Sequence, residues 1–172
     1  MNTVNFGSVP IDDLAPREAT PYAPPFGKGR YSVELSGTFE TLTGKNSWEA
    51  VKVAFINGES LNNAAEPKED AVIDTSFTTA HNNPDEPQKT EQALSIGAQQ
   101  LTSLAYALGI AQVENGSANF SVEDADDAIA QLQAGVGGRV GITVTHKVRK
   151  ADNGNTYTDM NISQIFRLED LS

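Results

Sequence analysis

Tyr31-Ser32-Val33-Glu34-Leu35-Ser36-Gly37-Thr38-Phe39-Glu40 places Tyr31, Val33, Leu35, Gly37 and Phe39 in one register and polar side chains in the other. Strict alternation of this kind predicts a half-buried antiparallel strand. Gly37 in its middle predicts a bulge or sharp bend. Thr43-Gly44-Lys45-Asn46 reads as a turn. Ser47 to Ile56 reads as the partner strand, with Val51, Val53 and Phe55 inward, Lys52 outward, and Asn57-Gly58 ending it. Ala71 to Thr79 is rich in β-branched residues and predicts a third strand. Val136 to Lys150 predicts a fourth, with Val140, Ile142, Val144 and Val148 on one face. Arg139, Thr143, Thr145, Lys147 and Arg149 take the other face. Asp152-Asn153-Gly154-Asn155 is a hairpin turn signal, and Thr156 to Arg167 predicts the fifth strand.

Between the third and fourth strands the period changes from two to 3.6. Leu94, Leu101, Leu104 and Leu108, with Ala98 and Ala105 beside them, predict a helix over Thr90 to Leu108, with Gly109 at its C-cap. Ser121-Val122-Glu123-Asp124 resembles a capping box and predicts a second helix, whose apolar face is Ala125, Ala128, Ile129 and Leu132. The expected fold class is mainly β (α+β). Five strands with a helical insertion between strands three and four is the element order of an OB-fold, a small partly open barrel. The domain is expected to span residues 30–167, with the insertion at 88–135. Residues 1–29, which contain Pro10, Pro16, Pro21, Pro24 and Pro25, read as a proline-rich extended arm. Residues 168–172 read as a short acidic tail.

The 172 residues suffice for one sizeable core. No run of apolar residues is long enough to cross a membrane as a helix, and Met1 to Pro10 carries no readable secretory signal. Cysteine is absent, which removes disulfides, thiolate metal sites and cysteine nucleophiles. These features lead to the expectation of a cytoplasmic protein. The formal net charge is −11. Its distribution is uneven: Gly135 to Lys150 holds Arg139, Lys147, Arg149 and Lys150, four of the twelve basic residues, and no acid. The acids lie elsewhere, notably in Glu66 to Asp74, Asp85 to Glu91 and Glu123 to Asp127.

No catalytic constellation is present. The two histidines, His81 and His146, supply neither a metal cluster nor a nucleophile–base pair with an identifiable orienting group. Asp124, Asp126 and Asp127 lack calcium-loop spacing; negative charge at a helix N-terminus accounts for them. Gly135-Val136-Gly137-Gly138 leaves a helix and enters a strand, the reverse of a phosphate loop. The expectation is therefore no enzyme, no cofactor and no metal.

A binding surface remains. Single-strand binding combines cations with aromatic side chains on which bases stack, and in OB-folds the loops between strands one and two and strands four and five flank the site. Here these loops and their flanks hold Lys45, Trp48 and Lys52, then Lys147, Arg149, Lys150 and Tyr157, with Arg139 at the start of strand four. Trp48, at a strand start, also fits a place in the core or its rim.

The chain resembles a family of small phage-encoded OB-fold proteins of replication and recombination modules. The resemblance covers roughly Gly29 to Phe166. It lies in Gly29-Arg30-Tyr31-Ser32-Val33, Trp48-Glu49-Ala50-Val51-Lys52-Val53, Gln100-Leu101-Thr102-Ser103-Leu104-Ala105-Tyr106-Ala107-Leu108-Gly109-Ile110 and Val136-Gly137-Gly138-Arg139-Val140-Gly141-Ile142-Thr143-Val144. It implies sequence-tolerant single-stranded DNA binding in phage DNA replication or recombination, alongside replication or recombination proteins. Strand edges in an open barrel also permit a homodimer. The alternative is an acidic protein-binding module, either a phage structural protein or an inhibitor of a host nucleic-acid-binding protein.

Overall fold

The computed structural model describes residues 24–62 and 64–171. As far as residue 23, the extended arm expected for residues 1–29 lies outside them. In chain order the elements are β1 (Gly29–Thr43), β2 (Glu49–Leu61), β3 (Ile73–Ala80), α1 (Pro87–Ala107), β4 (Gln112–Glu114), β5 (Ser117–Asn119), α2 (Ala125–Leu132), β6 (Arg139–Lys150) and β7 (Thr156–Phe166). Short 3-10 turns follow α2 and β7, at Gln133–Gly135 and Leu168–Asp170. The protein is mainly β, and its five long strands are the five expected.

These strands form one antiparallel sheet in the order β3-β2-β1-β6-β7. β1 is its centre: Gly29 to Glu34 pair with Val144 to Arg139, while β2 pairs along nearly the whole of β1. Its inward residues Tyr31, Val33 and Leu35 are fully buried, as are Val51, Val53 and Phe55 of β2 and Val140 and Ile142 of β6. The register shifts between Leu35 and Phe39, so the bend predicted at Gly37 is there. Asn57-Gly58 does not end β2. Asn57 takes φ +50°, the register shifts between Ser32 and Glu34, and the strand continues to Leu61. The pair forms a bulge, because asparagine tolerates the left-handed conformation without leaving the ladder.

A closed barrel does not form among the described residues. β3 and β7 remain the two edges of the sheet, with no ladder between them. Instead α1 packs against both. Pro87 opens the helix, where a missing N–H is harmless, and Gly109, with φ +76°, follows its end. The buried stripe is Gly97, Leu101, Leu104 and Ala105. Ala98, expected on that stripe, is exposed. Gly97 takes the place because the helix axis comes too close to β3 for a side chain: a Cβ there would lie 2.3 Å from the carbonyl oxygen of Thr78.

The two ends of the core are covered differently. At one end the entering chain inserts Phe26, fully buried and edge-on to Tyr31 with ring centroids 5.0 Å apart. The Phe26 carbonyl oxygen lies 2.8 Å from His146 Nε2, its N–H donates to Met160 Sδ, and the Lys68 N–H donates to the Pro25 carbonyl. At the other end lies α2. Its N-cap is Asp124, which accepts from the Asp127 N–H at 2.7 Å, rather than the Ser121 of the expected box. Asp127 in turn accepts from the Glu123 N–H. The insertion is also more than a helical pair, since β4 and β5 form a hairpin between the helices. Its Asn115-Gly116 turn, with φ +52° and +78°, is the asparagine-glycine signal of a two-residue hairpin.

Replacing an exposed helical glycine by alanine stabilises a helix by about 1 kcal/mol. Gly97→Ala is expected to do the opposite, destabilising the protein by about 1–3 kcal/mol through overpacking against β3. Urea denaturation checks the sign, and a stabilised variant would refute the close approach.

Candidate nucleic-acid interface

β6 outruns its neighbour. Pairing with β1 stops at Val144, opposite Gly29, but β6 and β7 stay paired as far as Lys150 and Thr156. The segment from Thr145 onward is a two-stranded ribbon about 20 Å long that extends past the β1 ladder. Its side chains are largely exposed, Val148 at 66%. Alternation sorts the ribbon into two faces. Lys147 stands opposite Asp159 and Arg149 opposite Tyr157 on one face; Val148 opposite Thr158 and Lys150 opposite Thr156 take the other.

On the first face Arg149 is held twice. Its Nε donates to Asp159 Oδ2 at 3.0 Å, and its guanidinium lies 5.3 Å from the centre of the Tyr157 ring. Tyr157 is 37% exposed, so much of its surface is open to solvent. Its phenol ionises below the ordinary value of 10.0, chiefly through a hydrogen bond from the Asn153 side chain, with Asn155 and the charge of Arg149 acting in the same direction. The ribbon thus gathers four of the expected residues, Lys147, Arg149, Lys150 and Tyr157, with Lys150 on the opposite face.

The other four lie elsewhere. Lys45 is exposed in the β1–β2 turn, where its carbonyl accepts from the Trp48 N–H. Trp48 is half-buried, packs over Gly44 and donates from Nε1 to Thr78 Oγ1 at 3.2 Å. That turn follows the C-terminal end of β1, whereas the ribbon runs past its N-terminal end. Lys52 sits between two carboxylates, Asp74 at 3.7 Å and Glu40 at 4.0 Å. Arg139 pins three strands together. Nε donates to Ser32 Oγ at 2.9 Å, and Nη2 donates to the carbonyls of Ser32 at 3.0 Å and Asn57 at 2.8 Å, with Glu59 at 3.8 Å. The Asn57 carbonyl is available because of the bulge in β2. Arg139 lies at the far end of β6 from the tip, eight residues from Lys147.

Two further residues on the outer sheet face went unmarked in the sequence. Phe166 of β7 lies flat over Gly141, where a Cβ would fall 2.2 Å from its ring. Arg30 of β1 lies with its guanidinium 5.9 Å from the centre of that ring. Arg30 shares the polar register of the first strand, and Phe166 follows Ile165 as a second apolar residue against the alternation; these were the available signals.

Two acids at the α2 end of the core have structural partners. Asp126 accepts from Thr41 Oγ1 at 2.8 Å, and Glu49 Oε1 accepts from the Ala125 N–H and from Thr79 Oγ1. Among the described residues no group of three histidine, aspartate or glutamate side chains is arranged to hold a metal ion. Tyr31 ionises above the ordinary phenol value, first because of burial; its hydroxyl donates to the Ala65 carbonyl at 2.8 Å.

Two outcomes follow from this geometry. Arg139→Ala is expected to destabilise the fold by about 1.5–3 kcal/mol, since it strips partners from strand carbonyls and from buried Ser32. Arg139→Lys should rescue little, because one ammonium cannot reproduce the fork; equilibrium unfolding reads both. Asn153→Ala should move the phenolate transition of Tyr157 upward, read by absorbance against Tyr157→Phe.

Comparison of the chain with protein-family models and with curated proteins gives no match in either case.

Proposed function

We propose that this protein binds single-stranded DNA with little sequence preference, through the β6–β7 ribbon. The single observation that carries this reading is the ribbon itself: Lys147 and Arg149 share a face with the exposed ring of Tyr157, with Lys150 on the other face, on a tip from Lys147 to Asp159 that contributes no residue to the buried core. Cations meet phosphates, and a base stack contributes about 1–3 kcal/mol. The same reading takes the sheet as an OB-fold-like barrel left open at one seam, with α1 in place of the missing ladder, and takes the setting as phage DNA replication or recombination. In such a barrel the loop between the last two strands is a ligand-flanking element.

The acidic alternative draws less support. Its support in the sequence was the acidic stretch Glu123 to Asp127, where Asp124 and Asp127 cap α2 and Asp126 accepts from Thr41, so three of its four carboxylates have roles within the fold.

Anisotropy of a labelled oligo-dT is the test. With three ribbon cations engaged, the salt slope for a single strand is about −2, so affinity falls about twentyfold between about 50 and 200 mM salt. Lys147→Glu with Arg149→Glu should abolish binding at the lower salt while leaving the fold intact. No binding by the unmodified protein at about 50 mM, or equal binding by the double variant, would reject the proposal.

A further inference from the structure

The outer face of the sheet continues beyond the ribbon. Register and alternation place Arg149 and Tyr157, then Lys147 and Asp159, then Thr145 and Asn161, in successive cross-strand rows. Next come Thr143 and Gln164, with Arg30 of β1 beside Thr143, and then Gly141 under Phe166. The inward partners of these rows, Ile142, Val144, Ile162 and Ile165, fill the core, so the outer rows cannot turn inward. Each end of the strip holds an arginine against an aromatic ring, Arg149 with Tyr157 and Arg30 with Phe166. Between them the side chains are short and neutral apart from Lys147 and Asp159.

At the inner end Arg30, Gln164 and Phe166 line a hollow of about 300 Å³, closed on its far side by Asp170 and Leu171. Gly141 lets the Phe166 ring lie flat on the sheet, a posture that any side chain there would prevent. A flat ring beside a guanidinium and an amide is suited to a planar base with an adjoining phosphate. Asp170, which also lines the hollow, pairs with Arg167 at 3.1 Å, and Glu169 lies 3.8 Å from the same guanidinium.

We infer that the outer face of β1, β6 and β7 is one continuous track for single-stranded DNA, with a second stacking place at Phe166 and Arg30. The two rings lie nine positions apart on β7, about 30 Å along the strand. A strand of DNA engaging both must be long enough to span them. Asp159 lies on this track and opposes it, since its charge occupies Arg149 and repels phosphate.

This inference rests on the single-stranded DNA reading, and the experiment separates the two. Anisotropy is measured with a long and a short oligo-dT, the short one too brief to span both rings. For the long oligonucleotide, Arg30→Gln should weaken binding about fivefold and make the salt slope shallower by about 0.7, one phosphate contact. Phe166→Leu should weaken it about tenfold with no change in slope, the mark of a lost stack. Neither variant should alter binding of the short oligonucleotide at the ribbon. Asp159→Asn should strengthen binding to both, and Lys89→Gln on the remote α1 should change nothing. If Phe166→Leu fails to melt cooperatively, Arg30→Gln decides alone. Should the unmodified protein bind neither oligonucleotide at low salt, the functional reading falls and the track with it. Should it bind both, with charge reversal at Lys147 and Arg149 abolishing binding, while Arg30→Gln and Phe166→Leu match the unmodified protein at both lengths, only the track is overturned.

Discussion

The contact between Gly97 and the backbone of Thr78 organises the molecule. A five-stranded sheet with one buried face needs a cover, and this sheet also has two unpaired edges, β3 and β7. α1 answers both needs at once. It comes close enough to β3 that no side chain fits between them, reaches β7 on its other side, and sends Leu101 and Leu104 into the core. A helix in the seam protects edge strands that would otherwise present free N–H and C=O groups to a neighbouring chain. It also leaves the outer faces of β6 and β7 uncovered, because the helix occupies the opening and not the sheet's back.

The core ends obey a different constraint. Phe26 enters beside Gly58, where a Cβ would meet its ring at 2.6 Å, and is held by backbone contacts with His146, Met160 and the loop after β2. α2 is tied down at the opposite end by carboxylates, Glu49 on the Ala125 N–H and Asp126 under Thr41. Four of the acids that give the chain its negative charge, Glu49, Asp124, Asp126 and Asp127, therefore act as caps and tethers.

Much of this was legible in the chain. Period two in Tyr31 to Phe39 and in Val140 to Val144 fixes a buried face, because a one-residue slip would expose every apolar side chain on it. Period 3.6 in Leu94 to Leu108 announces α1. What escaped were features set by tertiary distance. Gly97 and Ala98 are equivalent in composition terms, and only the approach of Thr78 chooses between them. Arg139 and Lys147 belong to one basic stretch of sequence, but β6 is long enough to give them opposite environments: one among strand carbonyls, the other in solvent. Lys52 is outward, as alternation requires, yet Glu40 opposite it on β1 and Asp74 diagonal to it on β3 are both acidic. Asn57-Gly58 carries a turn signal that a bulge satisfies equally well. Asn115-Gly116 was the exception, a hairpin signal present in the chain and hidden only by the helical pattern around it.

The net charge of −11 and the proposed DNA-binding role of the ribbon are compatible for a reason of scale. Charges separated by more than about 10 Å at ordinary salt are largely screened from one another. A phosphate at the ribbon tip therefore responds to Lys147, Arg149, Lys150, Asp152 and Asp159, and far less to carboxylates at the α2 end of the core. The ribbon's reach past the β1 ladder adds to that separation. Within the screening length two carboxylates oppose that attraction, Asp152 in the turn and Asp159 on β7, and Asp159 pairs with Arg149, where it also fixes the guanidinium against Tyr157. An acid that lowers local attraction thus orders the stack a base would use. On the proposed reading this balance favours a site of modest electrostatic affinity and strong salt sensitivity, with selectivity for unpaired bases supplied by the rings.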